Sequence, residues 1–244
     1  MKKAAVMIYP YFSMQEISCL TDGLKVFYGI DVDVFAAEKE IIRSEDNFQV
    51  IANKTFADFS PEEYECLILP GIWNPMPALF DERNIAFLQK MKGTDILISA
   101  ISSAPMLLAK AGLLENVKFT SGIFDEICRE LPFIPYQNIC HCPLVKDGNV
   151  ITAVGFAFRE FAEETIRALK LDDNPEGLFQ GITREYSEEE LTFHMEEAHF
   201  QEFLKEYQQY QTAEKVRKKY VIARSAATWQ SVSPKANDFS RFFV

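Results

Sequence analysis

Short apolar runs alternate with amphipathic stretches along the first 170 residues of the chain. The runs at 4–9, 31–36, 66–71 and 95–100 have the length and composition of strands buried on both faces of a parallel sheet. The stretches at 14–28, 84–92 and 158–169 carry apolar residues at helical spacing. This alternation predicts an α/β fold with a flavodoxin-like, doubly wound, mostly parallel sheet and helices on both faces.

Three shorter patterns refine the prediction. Residues 41–43 and 49–52 predict a small antiparallel pair, and residues 60–63 predict a helix start with a proline just inside it and a capping-box glutamate. Asp147-Gly148, between the apolar runs 142–146 and 149–154, predicts a tight hairpin. The hairpin adds an antiparallel strand to the sheet.

The segment from 95 to 112 is the most informative part of the sequence. A buried strand passes through the small residues Ser102 and Ser103 into an apolar helix that stops at Gly112. A strand, a sharp turn and a helix form a nucleophile elbow, which holds one side chain out at the carboxyl end of a sheet, near the amides of a helix start. The pattern predicts that this side chain is Ser102.

The character of the sequence changes after residue 172. Ser187 and Glu190 form a second capping box, and a charged, aromatic-rich helical stretch follows to about residue 219. The last twenty residues show no usable periodicity. We therefore expect an α/β domain at 1–172, a helical C-terminal extension at 173–224 that packs on the core or on a second copy, and a flexible tail at 225–244.

Composition limits the partners. The chain has 25 basic and 36 acidic residues, a formal net charge of −11, which argues against nucleic acid and anionic membranes. No apolar stretch is long enough to cross a bilayer, and no secretory signal is recognisable. The five irregularly spaced cysteines fit a reducing compartment, so we expect a cytoplasmic protein.

Metal and cofactor sites are not predicted. Cys140-His141-Cys142 could supply two zinc ligands, but no second pair stands at a suitable distance. His194 and His199 are five residues apart, so they diverge on a helix, and we expect both to be solvated. The other cysteines, Cys19, Cys66 and Cys128, are predicted to be small core residues.

From about residue 3 to 170, the chain resembles the ThiJ/PfpI family of the class I glutamine amidotransferase-like superfamily. The resemblance rests on residues 67–71 (LILPG), 100–105 (AISSAP) and 147–155 (DGNVITAVG), in that order. It implies a reactive cysteine at the elbow, a glutamate from the first helix, often a histidine after the following strand, and commonly a homodimer. Glu16 matches the glutamate, whereas Ser102 and Gly122 stand where the cysteine and the histidine are expected.

This replacement shapes the functional prediction. A helix start or a nearby cation can push a thiol toward thiolate, but a serine hydroxyl needs an adjacent base. Our first interpretation is therefore a protein that lacks the cysteine nucleophile, needs no cofactor, and is non-catalytic or binds an unknown small molecule at the elbow. The alternative is a hydrolase or amidase-like enzyme with Ser102 as nucleophile, assisted by Glu16.

Neighbouring residues complete the predicted site. The amides of Gly71 and Ser103 would bind an oxyanion in the enzyme alternative. Ser103 is otherwise a small turn residue or a helix cap. Trp73 either lines the same cleft or packs under its own loop.

Overall fold

The computed structural model describes residues 3–175, 178 and 185–223, with side chains up to Lys215 in the last helix. The tail predicted at 225–244 lies outside the described residues.

A seven-stranded sheet forms the centre of the structure. Its strand order is β5-β2-β1-β6-β7-β9-β8, and only the β8–β9 pair is antiparallel. A separate two-stranded antiparallel sheet consists of β3 and β4. The strands are β1 (Lys3–Met7), β2 (Val32–Ala36), β3 (Ile41–Arg43), β4 (Gln49–Ile51), β5 (Lys54–Thr55), β6 (Tyr64–Leu69), β7 (Leu97–Ile101), β8 (Leu144–Asp147) and β9 (Val150–Ala153).

Helices connect these strands and cover the sheet. The α-helices are α1 (Gln15–Asp22), α2 (Met76–Leu79), α3 (Glu82–Gln89), α4 (Pro105–Lys110), α5 (Asp125–Glu130), α6 (Phe158–Ala168) and α7 (Glu197–Ala223). A π-helical turn at Gly23–Phe27 extends α1. The predicted doubly wound, mostly parallel fold is confirmed, with α7 as the C-terminal addition.

Side chains of the central strands fill the core, because a parallel sheet is covered on both faces. Every residue of β7 is buried, as are the last four residues of β6. Phe35, Phe59 and Phe87 form edge-to-face ring contacts at 5.0–5.2 Å on one side of the sheet. This packing fixes the carboxyl ends of β1, β6, β7 and β9, from which the site is built.

Two predicted capping boxes do not start α-helices. Residues Pro61–Glu63 form a single 3₁₀ turn that leads directly into β6, and the Ser60 side chain makes no cap hydrogen bond. The Ser187–Glu190 box is present, with the Glu190 amide donating to the Ser187 hydroxyl at 3.2 Å. It opens only a 3₁₀ turn, Glu189–Leu191, and α7 begins at Glu197. A capping box marks a helix start but does not set the helix length.

The hairpin at the edge of the sheet is confirmed. Asp147 pairs with Val150, so the loop consists of Gly148 and Asn149, one residue later than the sequence indicates. Gly148 has a φ of +57°, the left-handed conformation that such a short loop requires.

The C-terminal region packs on the same core as the sheet. Phe203 is fully buried, and the rings of Tyr207 and Tyr210 each lie 5.6 Å from Phe80, the residue after α2. In the described part of the chain, no helix combines the length and the apolar character needed to cross a bilayer.

Candidate functional site

Ser102 occupies the turn between β7 and α4. Its φ is +60°, a left-handed conformation that is uncommon for a residue with a side chain. Two backbone hydrogen bonds hold it there: its amide donates to the Ala153 carbonyl at 2.8 Å, and its carbonyl accepts from the Gly122 amide at 2.9 Å. The structure therefore places Ser102 at a strained elbow at the carboxyl end of the sheet.

Glu16 reaches this elbow from the first turn of α1. Its Oε2 accepts a hydrogen bond from the Gly71 amide at 2.7 Å, and its carboxyl group lies within hydrogen-bonding reach of the Ser102 hydroxyl. Burial and the negative charge of Glu45 raise the pKa of Glu16 to about 7, although both hydrogen bonds act in the opposite direction. Glu16 is therefore close to half-protonated at neutral pH.

Two glycines make room for this carboxyl group. A Cβ atom on Gly71 would lie 2.7 Å from the Ser102 Cβ, and one on Gly155 would lie 2.6 Å from the Glu16 Oε1. Both distances are shorter than real Cβ contacts. Glycine at 71 and 155 thus allows the backbone of two loops to close directly around Glu16 and Ser102.

A second carboxyl group, Glu45, comes from the loop between β3 and β4. The Glu45 amide donates to the Phe12 carbonyl at 3.0 Å, and the Ser13 amide donates to the Gly71 carbonyl at 2.8 Å. The Ser13 side chain also hydrogen-bonds the Glu45 carboxyl group. The loops after β1 and β6 are therefore tied to the small antiparallel sheet, which carries Glu45 to the site.

Ser103 has a structural task. It is fully buried, and its hydroxyl donates to the Ile72 carbonyl at 2.9 Å and accepts from the Ile72 amide at 2.8 Å. This pair of bonds fixes the loop after β6. Ser103 does not cap α4 through its side chain, since α4 shows no side-chain cap at its start.

The Gly71 amide, predicted as an oxyanion donor, points instead at Glu16. An oxyanion would therefore have to compete with the carboxyl group for this donor. Gly122 meets the site through its backbone, as the donor to the Ser102 carbonyl. Trp73 follows Gly71 by two residues and is 40% exposed, so it is not packed under its own loop.

The remaining sequence candidates lie apart from the elbow. Residues 140–142 form a tight turn, in which the Cys142 amide donates to the Cys140 carbonyl at 3.0 Å, and not a strand. Cys66 and Cys128 are buried core residues as predicted, whereas Cys19 is only partly buried. Among the residues that the structure describes, no three His, Cys, Asp or Glu side chains come together to hold a metal ion.

The imidazoles of His141 and His194 contact the C-terminal region rather than the elbow. His141 Nδ1 lies 3.0 Å from the Thr192 hydroxyl, and His194 Nδ1 lies 3.0 Å from a Glu126 carboxyl oxygen. His194 precedes α7, so it is not a helix residue as predicted, whereas His199 lies within α7.

Glu45 and the Ser103 contact were missed by sequence reasoning. Neither has a local signal, because each depends on two loops that are far apart in the chain and meet only in the folded sheet. The elbow itself had a signal, the change from a strand pattern to small residues and then to a helix.

A flavodoxin-like α/β protein with a strained Ser–Glu elbow at the carboxyl end of its sheet is the class that this geometry defines. The DJ-1/PfpI family model matches residues 2–168, and the chain belongs to this family. Residues after 168 lie outside the match.

Relatives and solved structures agree with this assignment. The chain is 28% identical to Deglycase PfpI of Pyrococcus furiosus over 123 residues, which cover 50% of this chain and 68% of the relative. It is 25% identical to Protein dj-1beta of Drosophila melanogaster over 187 residues, which cover 72% and 96%.

A crystal structure of a DJ-1 superfamily protein from Agrobacterium tumefaciens superposes with a TM-score of 0.62 at 21% identity, covering 70% of this chain and 92% of that one. The structure of Drosophila DJ-1beta superposes with a TM-score of 0.61 at 25% identity, covering 73% and 96%. These structures support the shared fold.

Proposed function

We propose that this DJ-1/PfpI protein binds a small polar molecule non-covalently at the Ser102–Glu16 elbow, and that it has no thiolate chemistry there. The observation that carries the proposal is the side chain at the elbow itself. It is a serine hydroxyl, held at a φ of +60° within hydrogen-bonding reach of the Glu16 carboxyl group. A hydroxyl does not ionise near neutral pH in the way that a thiol does.

The cysteines of the chain lie elsewhere and are poor nucleophiles. Burial raises the pKa of Cys66 and of Cys128 to about 12, and it also raises the pKa of Cys19 and of Cys142. A raised pKa keeps the sulfur in the unreactive thiol form. This supports the proposal that no cysteine takes over the role of an elbow nucleophile.

The elbow can bind through paired hydrogen bonds. A protonated Glu16 is a donor, an ionised Glu16 is an acceptor, and the Ser102 hydroxyl can act as either. A primary amide or a small carbonyl compound with an adjacent hydroxyl offers matching groups. Such a ligand would replace the Ser102–Glu16 contact by one bond to each residue.

Acetamide is a suitable probe for this proposal. We expect it to shift the amide NMR signals of Gly71, Gly122 and Gly155 in a saturable way. Ser102→Ala should weaken binding by about five- to tenfold, because one hydrogen bond contributes roughly 1 kcal/mol. Ser18→Ala, at an exposed serine of α1, is the matched control and should leave the affinity unchanged. No saturable shift at the three glycines would contradict the proposal.

A second candidate function, a serine hydrolase, is favoured by one observation. The pKa of Glu16, at about 7, gives its carboxylate the basicity of an imidazole, and it stands beside Ser102. In that case Glu16 would accept the hydroxyl proton as Ser102 attacks a carbonyl carbon. The occupied Gly71 amide argues against it, since that donor would be needed for the oxyanion.

A fluorophosphonate probe separates the two candidates. Under the proposed binding function, we expect no modification of Ser102 beyond that of the Ser18 control after overnight exposure, as measured by peptide mass spectrometry. Labelling of Ser102 that disappears in Glu16→Gln would establish the hydrolase instead. A homodimeric assembly and a cytoplasmic location stay predictions from the sequence.

A further inference from the structure

The C-terminal segment 185–215, here called the strap, lies outside the family match and contacts the loops that form the elbow. The first contact is on the β9–α6 side. The ring of Tyr186 lies 5.3 Å from the ring of Phe156. Phe156 follows Gly155, the glycine whose backbone closes around Glu16 and Ser102. The strap thus begins beside one wall of the site.

The second contact is beside Gly122. The Asp125 amide donates to the Phe193 carbonyl at 2.8 Å. The Thr192 hydroxyl donates to the Glu188 carbonyl at 2.8 Å, so its oxygen accepts the hydrogen bond from His141 Nδ1 at 3.0 Å. Between them the strap and the loops leave a cavity with room for about one water molecule. The strap is therefore closely fitted on this side too.

The third contact is above the loops after β1 and β6. Tyr207 and Tyr210 pack on Phe80, and Tyr210 is close enough to Tyr11 to raise its own pKa, after burial and Glu206. Tyr11 is in turn bound to the loop after Gly71, because its carbonyl accepts from the Trp73 amide at 3.0 Å. All three loops that contribute a glycine to the elbow are thus within reach of the strap.

The resulting site is narrow. Ser102 is only 6% exposed, although it stands at the end of a strand. The strap is firmly seated, since Leu191 and Phe203 are buried against the domain. A ligand that reaches the Ser102 hydroxyl has to fit between the glycine loops and the strap, so bulky groups are excluded by contact with the strap.

The site also has a defined charge. Glu16 and Glu45 are both acidic and act on each other, and Tyr9, another neighbour of Glu16, carries no positive charge. Like charges within a partly buried site repel more strongly than in water. An anionic ligand would therefore meet two carboxyl groups at close range.

We propose that the elbow accepts only small, uncharged ligands, with the strap setting the size limit and the Glu16–Glu45 pair excluding anions. The proposal rests on the proposed binding function and adds the class of ligand to it. Primary amides and small neutral carbonyl compounds of two or three carbon atoms belong to this class. Carboxylates and phosphate esters do not.

The variant Ser102→Cys turns the elbow into a reporter of access. Three alkylating reagents with the same leaving group are compared at about pH 8, where Glu16 is mainly ionised: iodoacetamide, iodoacetate and N-benzyl-iodoacetamide. Peptide mass spectrometry follows residue 102, and Ser18→Cys, an exposed site on α1, supplies the reference rates. Relative to this reference, we expect iodoacetate and the benzyl reagent each to react about tenfold more slowly than iodoacetamide.

Two further variants assign the cause of each effect. In the Ser102→Cys background, Tyr186→Ala should speed up the benzyl reagent about fivefold and leave the ratio of iodoacetate to iodoacetamide unchanged. Glu45→Gln should speed up iodoacetate about threefold and leave the size effect unchanged. Equal reference-corrected rates for the three reagents would overturn the proposal, as would a variant that changes both ratios together.

The outcome is separable from that of the proposed function. Alkylation measures access to the elbow whether or not the native site binds a ligand. If acetamide does not bind but the three rates differ as expected, the binding function fails and the access limits stand. If acetamide binds and the rates are equal, only the size and charge limits fail.

Discussion

Glu16→Gln should abolish a loss of stability of up to about 3 kcal/mol that the native chain undergoes between about pH 4.5 and pH 7. The pKa of Glu16 rises from 4.5 to about 7 on folding, chiefly through burial and then through Glu45. Between these two values the folded chain binds a proton that the unfolded chain has released. The free energy of unfolding therefore falls as the pH rises, and the full loss is reached above the folded pKa.

Denaturant unfolding at a series of pH values from about 4.5 to 8 measures this effect. The informative quantity is the difference between the native chain and Glu16→Gln at each pH, because other groups titrate equally in both. Glu62→Gln, at an exposed glutamate outside the site, is the matched control and should follow the native profile. Parallel profiles for the native chain and Glu16→Gln would show that the carboxyl group is not raised in pKa.

This expectation also bears on the chemistry of the elbow. A carboxyl group that destabilises the fold when it ionises is retained at the one place where it meets Ser102 and the Gly71 amide. Perturbed pKa values of this kind are frequent at functional sites, although structural networks produce them too. The ligand experiments decide which of the two applies here.

The fold was predictable because its signals are local. Each buried strand is a short apolar run, and each connecting helix has its own period, so the order of elements follows directly from the sequence. The elbow was predictable for the same reason, since the passage from strand to small residues to helix surrounds Ser102. Gly112, with a φ of +72°, ends that segment as predicted.

The chemistry of the site was less predictable because it arises between distant loops. Glu45 reaches Glu16 only because the loop that carries it is bound to the loop after β1. The Ser103 hydroxyl meets Ile72 across two strands that are adjacent in the sheet but 31 residues apart in sequence. The position of Glu16 was inferred from the family resemblance, but its raised pKa depends on burial, which a linear pattern does not give.

The strap is a third case. Its aromatic residues predict a helical stripe, but not which surface they cover. In the structure Phe203 is buried in the same core as the central strands, and Tyr186 lies beside the elbow loop. The extension that the sequence separates from the α/β domain thus shares its packing, and the two are expected to unfold together.

Phe203→Ala tests whether the strap is an integral part of the domain. Phe203 is fully buried, and truncation of such a ring removes apolar contacts and leaves a cavity, so we expect a loss of about 3–5 kcal/mol in the free energy of unfolding. Gln209→Ala, at an exposed position of the same helix, should change stability by less than about 0.5 kcal/mol.

Two probes distinguish the possible results. Far-ultraviolet circular dichroism follows the helices, and Trp73 fluorescence follows the loop beside the elbow. If the strap and the domain form one cooperative unit, both transitions shift together in Phe203→Ala. A variant that loses helical signal at low denaturant while the main transition stays at its native midpoint would mean that the strap unfolds alone. The size limit at Ser102 would then hold only while the strap is seated, and Phe203→Ala would speed up the benzyl reagent in the Ser102→Cys background as strongly as Tyr186→Ala does.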